Sequence, residues 1–325
     1  MIRITQLAAA VLVASLATPG MAGPTLLFDA ADGRVLYAED QDDQWHPASL
    51  TKIMTAYVTF QALKEGKLTM ASKIGCSELA NSQSPSKVGL PVGAEMSVET
   101  ALKALIVKSA NDVAVMLAEA VSGSHEAFVA RMNATAVRLG MTRTKFANAN
   151  GLPAPDQVTT ARDLAKLAAA VVRDFPEHYH MWSMLEVRLG KIRLHSHNGL
   201  LANYPGADGM KTGFICDSGF NVVASATREG RKLIAVVLGE ATGADRTVRA
   251  ANLLEHGFRM EGWKLALFSP STIDTMPLAE SAKGPTTMRQ AVISFECGTR
   301  RAVAKTRTKG KAKSAQRAAS SQSSQ

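Results

Sequence analysis

Met210–Leu238 reads MKTGFICDSGFNVVASATREGRKLIAVVL and decides the fold. Three β-prone runs, Met210–Ile215, Phe220–Ala226 and Leu233–Leu238, follow one another with short turns between them, the second built on Arg228-Glu229-Gly230. Strands joined this tightly must be antiparallel, because a parallel return needs a crossover of about a dozen residues or more. Just upstream, Leu185–Leu189 and Ile192–Leu194 flank Gly190-Lys191 as two further strands. Just downstream, Arg249–Phe258 has the pattern of an amphipathic helix.

At the other end of the chain, Thr25–Asp29 and Arg34–Ala38 are short β-prone runs on either side of Ala30-Ala31-Asp32-Gly33. Asp-Gly between two such runs predicts a hairpin, since glycine accepts the positive φ of a tight turn. The region between early and late strands is helical in texture. Ile53–Leu63 is one helix, stopped near Gly66. After the loop-rich stretch Lys73–Gly93, a helix capped by Ser97 carries Ala101, Leu102, Leu105 and Ile106 on one face. Asp112–Val121 and Glu126–Leu139 follow, the latter ending at Gly140. Thr160–Asp163 has the form of a capping box ahead of the stripe Leu164, Leu167, Ala168 and Val171. The expected class is α+β: an antiparallel sheet with helices packed on it and a helical block inserted between early and late strands.

The 325 residues suit one large domain or two small ones, and 46% hydrophobic content is ample for a packed core. Met1–Ala22 reads as a secretory signal, with Arg3 as its charged start, Leu7–Leu16 as a short apolar core and Gly20-Met21-Ala22 as a cleavage site. Export is therefore expected, to the periplasm or cell envelope. The net charge of +9 is not spread over the chain. Eight basic residues and no acid lie between Thr299 and Gln325, and with Arg3 they account for all of it. Residues 261–325 are read as an extension ending in a basic, disordered tail, suited to anionic envelope surfaces or simply to solubility. No aromatic residues alternate with these charges, so nucleic-acid binding is not expected. Cys76, Cys216 and Cys297 allow at most one intramolecular disulfide, and the sequence leaves the pair open.

The chemistry begins at Pro47-Ala48-Ser49-Leu50-Thr51-Lys52, where a polar loop turns into the apolar run from Ile53. Ser49 and Lys52 stand i and i+3, on one face of a helix start. A serine hydroxyl becomes a nucleophile when a base lies within reach, and a desolvated neutral lysine is such a base. Alone, the pattern is equally a helix cap beside a solvated lysine. Two more patterns change that: Ser109-Ala110-Asn111 at a junction between helices, and Lys211-Thr212-Gly213 on a strand. S-x-x-K, S-D-N and K-T-G occur together in class A β-lactamases and penicillin-binding proteins, and here S-A-N stands for the middle element.

On these motifs the chain resembles the low-molecular-mass serine-type D-alanyl-D-alanine carboxypeptidases, penicillin-binding proteins that trim peptidoglycan stem peptides. The resemblance runs from about Pro24 to Phe258 and includes Asn150-Gly151-Leu152 and Asp208–Gly213. It implies a β-lactamase/transpeptidase-like fold, with a five-stranded antiparallel sheet flanked by helices, over a catalytic domain at 23–260. It implies Ser49 as nucleophile and Lys52 as base, with Ser109 relaying a proton and Asn111 positioning Lys52 and the substrate amide. Lys211, Thr212 and Gly213 would hold the peptide, the Thr212 hydroxyl bonding its terminal carboxylate. The N–H groups of Ser49 and Phe214 would form the oxyanion hole, and Arg246 would stand near the carboxylate, its alternative reading being a surface arginine near the last helix. The implied partners are the peptidoglycan pentapeptide and β-lactam inhibitors, with no cofactor or metal.

The same residues would serve a D,D-endopeptidase acting on cross-links. A β-lactamase fits less well, with Ala110 in place of Asp and no glutamate in Asn150–Gln157. A binding-only envelope protein would not need Ser49, Lys52 and Lys211. His197 stands where some relatives have arginine, and relatives often carry a C-terminal β-domain and an anchoring helix for which Glu261–Gln325 is too short and polar. His195-x-His197 could place two metal ligands on one strand face but finds no third. His46 is read as a loop histidine, and Cys216 lacks the histidine partner that a thiol nucleophile would need.

Overall fold

The hairpin expected at Asp32-Gly33 forms, with Gly33 at φ +73° and its N–H donating to the Asp29 carbonyl. It joins β1 (Thr25–Asp29) to β2 (Val35–Glu39). The structure, a computed structural model, describes residues 23–260, 271–292 and 297. The expected signal segment and the whole of the basic tail, residues 299–325, lie outside the described residues.

A short 3₁₀ turn, Ala48–Leu50, leads into α1 (Thr51–Lys64). Then come β3 (Lys73–Gly75), α2 (Glu78–Asn81), β4 (Glu95–Ser97), α3 (Val98–Val107), α4 (Asn111–Ser122), α5 (His125–Arg138) and α6 (Ala161–Asp174). The late strands are β5 (Glu186–Leu189), β6 (Ile192–His195), β7 (Ala207–Ile215), β8 (Gly219–Arg228) and β9 (Arg231–Glu240), with the short α7 (Leu200–Asn203) before β7. The last long helix is α8 (Gly243–Arg259).

The main sheet has five strands in the order β2-β1-β9-β8-β7, every neighbouring pair antiparallel. The early hairpin thus adds to the late strands through β1 and β9, and β7 is left at an edge. One face of the sheet carries α8, packed through Ala250, Leu253 and Leu254 on Leu27, Val222 and Ala235. The other face carries the helical block, whose core runs continuously from Leu26 and Phe28 through α1, α3, α4 and α6. Helix α1 is buried on nearly every side, from Thr51 to Phe60. A helix apolar all round belongs in a core, and its start is held accordingly. The buried hydroxyls of Thr55 and Thr59 are satisfied by the carbonyls of Ala149 and Thr55, at 2.6 and 2.8 Å.

The caps behave as the sequence predicts. Ser97 and Thr160 each accept an N–H from three residues on, and Ser124, which the sequence reading does not name, caps α5 in the same way. Three features depart from expectation. The loop-rich stretch Lys73–Gly93 contains β3 and α2, and β3 pairs with β4; three-residue strands are too short to show a period. Strands β5 and β6 pair only with each other and stand apart from the main sheet. Helix α8 starts six residues before the expected Arg249, capped by the Thr242 side chain.

Beyond residue 260 the chain does not simply lead away. Ser271 and Thr272 bridge to the β1–β2 hairpin, and the buried pair Arg162–Asp42 receives the segment that follows. Arg162 bonds both Asp42 oxygens, at 2.6 and 2.8 Å, and the carbonyls of Met276 and Pro277. Of the three cysteines, Cys216 and Cys297 form the disulfide and Cys76 is buried and free.

Candidate active site

Three segments converge at the edge of β7. The start of α1 brings Ser49 and Lys52, the α3–α4 junction brings Ser109 and Asn111, and β7 brings Lys211, Thr212, Gly213 and Phe214. Backbone fit explains how they meet. A Cβ on Gly213 would lie 3.0 Å from the Pro47 carbonyl oxygen and 3.1 Å from the Ser49 nitrogen, so the strand edge rests directly on the nucleophile turn. Gly151, at φ +84°, abuts the same turn from the opposite side, and a Cβ there would overlap the Ala48 carbonyl. Ala48 and Ser109, both bearing side chains, sit at φ +49° and +61°. Residues held in this sparsely populated region cluster where surrounding structure fixes them for a task.

Lys52 is 1% exposed, and its Nζ lies 3.0 Å from Ser49 Oγ. It also donates to Asn111 Oδ1 at 2.6 Å and to the Asn150 carbonyl. Burial first, and then the charge of Lys211, hold its pKa well below the usual lysine value, while Asp112 opposes them. An uncharged amine has two hydrogens and one lone pair. Both carbonyl oxygens can only accept, so the hydrogens go to Asn111 and Asn150 and the lone pair remains for the Ser49 hydroxyl. In its uncharged form, which burial favours, Lys52 is placed to take a proton from serine.

The amide of Asn111 is oriented in turn, its Nδ2 donating to Ser84 O at 2.8 Å. Next to it, the carboxylate of Asp112 accepts N–H groups from Val88 and Gly89 and so fixes the loop that forms one wall. The Ser109 hydroxyl is buried with no hydrogen-bond partner among the described residues, bonded neither to Ser49 nor to Lys52.

Above Ser49 opens a pocket of about 460 Å³, lined by Ser109, Asn111, Thr212, Phe214 and Arg246 as well as Ser49 itself. Its walls include Leu152 and the rings of Phe214 and Phe220, which are tilted by 30° with centroids 4.3 Å apart. Arg246 is 8% exposed and reaches the pocket from α8, its guanidinium donating to the His197 carbonyl at 3.3 Å. It is therefore no surface arginine. Burial lowers its pKa to about 10, still charged at neutral pH. Lys211 is buried and is not among the residues that line the pocket. It is 2% exposed, its Nζ donates to the Thr212 carbonyl at 3.0 Å, and burial with the charge of Arg246 brings it to about 7. His197 lines the pocket, and burial together with Lys211, Lys108 and Arg246 pushes its pKa down.

Several supporting residues were not singled out from the sequence. The Asn150 carbonyl on Lys52 is a backbone group and leaves no side-chain signature. Asn221 was readable: a fully buried asparagine in the apolar run Phe220–Ala226 needs partners. Its Nδ2 donates to the His46 carbonyl at 3.0 Å and its Oδ1 accepts the Gly239 N–H, which ties the nucleophile loop to the sheet. Trp45 does the same through Nε1 to Ser218 O, at 2.9 Å. Among the described residues, no group of three or more His, Cys, Asp or Glu side chains is placed to hold a metal ion, and His195 faces Glu186 at 3.8 Å.

A serine hydroxyl beside a buried lysine whose charge burial disfavours, at a pocket lined by an arginine and at the edge of an antiparallel sheet, is the outline of an acyl-transfer site. The chain belongs to the D-alanyl-D-alanine carboxypeptidase family, peptidase S11, which it matches over residues 14–242. It is 41% identical over 241 residues to the D-alanyl-D-alanine carboxypeptidase DacC of Escherichia coli, covering 72% of this chain and 60% of that one. The chain thus spans about 60% of the length of the curated relatives it matches first. Among solved structures, penicillin-binding protein 5 of Haemophilus influenzae is similar with TM-score 0.71 and 39% identity, over 73% of this chain and 70% of that one. Penicillin-binding protein D2 of Listeria monocytogenes in its cefotaxime-bound form is similar with TM-score 0.67 and 31% identity, over 73% of this chain and 97% of that one.

Proposed function

We propose that the protein hydrolyses the terminal D-Ala–D-Ala bond of peptidoglycan stem peptides through an acyl-enzyme on Ser49, and that β-lactams acylate the same oxygen. The observation that carries this reading is the contact of the buried Lys52 Nζ with Ser49 Oγ, at 3.0 Å, beside a pocket lined by Thr212 and Arg246. Family membership and the names of the similar carboxypeptidases support it, as does the cefotaxime-bound form of the Listeria relative.

The peptide lies along the edge of β7 as an added strand. Its terminal carboxylate takes a bond from the Thr212 hydroxyl and lies in the field of Arg246. As Ser49 Oγ attacks the carbonyl carbon, Lys52 accepts the serine proton, and the oxyanion receives the N–H groups of Ser49 and Phe214. Losing one such donor costs about 2.7–4 kcal/mol of transition-state stabilisation. The amine of the departing D-alanine must be protonated. Ser109 lines the pocket and is bonded neither to Ser49 nor to Lys52 in the free site, so it passes that proton from Lys52 once its hydroxyl turns to the lysine. Water then cleaves the ester by the reverse use of Lys52. Asn111 holds Lys52 and the substrate amide in register throughout.

In this reading the protein is exported, and residues 299–325, with their eight cations, adhere to anionic envelope surfaces. The test is D-alanine release from a pentapeptide compared with cleavage of a cross-linked dimer. Faster release from the pentapeptide supports the carboxypeptidase. Faster cleavage of the dimer replaces it with an endopeptidase, and no turnover of either rejects both.

A further inference from the structure

The turn between β7 and β8, Cys216-Asp217-Ser218, takes no part in the acylation scheme, yet ties reach it from three directions. It begins one residue after Ile215, which with Phe214 lines the pocket. From the nucleophile side, Trp45 donates to the Ser218 carbonyl. From the C-terminal segment, Arg289 makes two bonds to the Asp217 carboxylate, at 3.0 and 2.8 Å, and Thr287 adds a third at 3.0 Å. The Met288 N–H donates to the Asp217 carbonyl at 2.9 Å, and the Met288 side chain is buried beside Gly219. The third tie is the disulfide from Cys216 to Cys297.

The same segment is fastened to the loop that leads into Ser49. The Ala279 N–H donates to Asp42 and the Lys283 N–H to Asp43, at 2.9 and 2.8 Å, and the Gln44 N–H donates back to the Lys283 carbonyl at 2.9 Å. A single stretch of chain therefore spans both halves of the site, with the Asp42–Trp45 loop at one end and the terminus of β7 at the other.

We propose that Ser271–Val292 and the Cys216–Cys297 disulfide form a positioning strap that sets the spacing of the two oxyanion donors, acting through Cys216 and Asp217 at the end of β7. The inference rests on the acyl-transfer reading above. The two N–H groups come from Ser49 and Phe214, at the ends of segments that are far apart along the chain. The end of an edge strand is where pairing opens most easily, so Phe214 needs an outside tie that Lys211 and Thr212, further inside β7, do not. The strap accordingly governs the acylation step and leaves recognition of the carboxylate alone.

The test uses the full chain carrying Arg289→Ala, and separately the Cys216→Ser/Cys297→Ser pair. Acylation by a fluorescent penicillin is followed in stopped flow to separate the saturating rate from the half-saturating concentration. The expected result is a saturating rate lower by about 10-fold in each, short of the roughly 100-fold that a 1 Å misplacement can cost. The half-saturating concentration should stay within about 2-fold in both, and Arg289→Lys should restore part of the rate by keeping a charge-assisted bond to Asp217. Wild-type rates in both variants overturn the strap. So does a fall only in the fraction of protein that reacts, which would mark a purely structural role. If the wild-type chain forms no adduct, the acyl-transfer reading fails and the strap fails with it.

Discussion

Lys52 sits where an ammonium ion would lose its hydration without gaining a carboxylate, and that loss makes it a base. The nearest counter-charge that favours protonation, Asp112, spends its oxygens on the N–H groups of Val88, Gly89 and Val113. Lys211 works the other way, its charge holding the Lys52 pKa down. The sign of a pH experiment follows. The acylation rate falls as pH drops and Lys52 takes up a proton, so the acidic limb of the profile marks its pKa. Lys211→Gln removes a cation that opposes this protonation, so the limb must move to higher pH. A stopped-flow rate profile with a β-lactam checks it, and movement to lower pH would refute the assigned coupling. At this scale the sequence was most informative. Ser49, Lys52, Asn111, Thr212 and Arg246 all come together as the motifs imply, because each chemical role needs a particular side chain. Lys211 also joins them, but buried and not among the residues that line the pocket. The Asn150 carbonyl was not legible, since any residue carries one.

Among the elements, the nucleophile turn is gripped by two glycines. Gly213 lets β7 approach the turn from one side, and Gly151 lets the Asn150 loop close on it from the other. Gly151→Ala brings both a Cβ overlap with the Ala48 carbonyl and an unfavourable φ of +84°. The expected loss of acylation rate is about 100-fold or more. Gly66→Ala is the control, with φ +71° but open space around it, and should cost about 1–2 kcal/mol of stability with the acylation rate unchanged. Equal rates in Gly151→Ala and the wild type would show that the turn can yield. Helices and long strands were legible because burial imposes a period of 3.6 or 2 on them. The pairing of β3 with β4, and the separation of the β5–β6 hairpin from the main sheet, were not. Both depend on contacts far away in the sequence.

Across the whole molecule, the buried pair of Asp42 and Arg162 joins the early loop, α6 and the C-terminal segment. Side-chain exposures of 1% and 4% leave neither charge a solvent route if its partner is lost. Arg162→Ala should therefore cost about 3–5 kcal/mol, read as a shift of the urea midpoint, and a loss below about 1 kcal/mol would contradict it. The order of strands and helices was enough to place the helical block between early and late strands. The course of Ser271–Val292 and the choice of Cys216 with Cys297 were beyond local pattern, because closing the chain over such distances is a matter of packing alone.

The proposed chemistry depends above all on an uncharged Lys52 turning the Ser49 hydroxyl into the nucleophile. It is tested most directly by reacting the full chain with a fluorescent penicillin at neutral pH and mapping the adduct by mass, for the wild type beside Lys52→Met. One stable adduct is expected, on the peptide carrying Ser49, with a rate lower by about 10²–10⁴-fold without the lysine. An adduct on another residue, or equal labelling of Ser49 in both proteins, would contradict it.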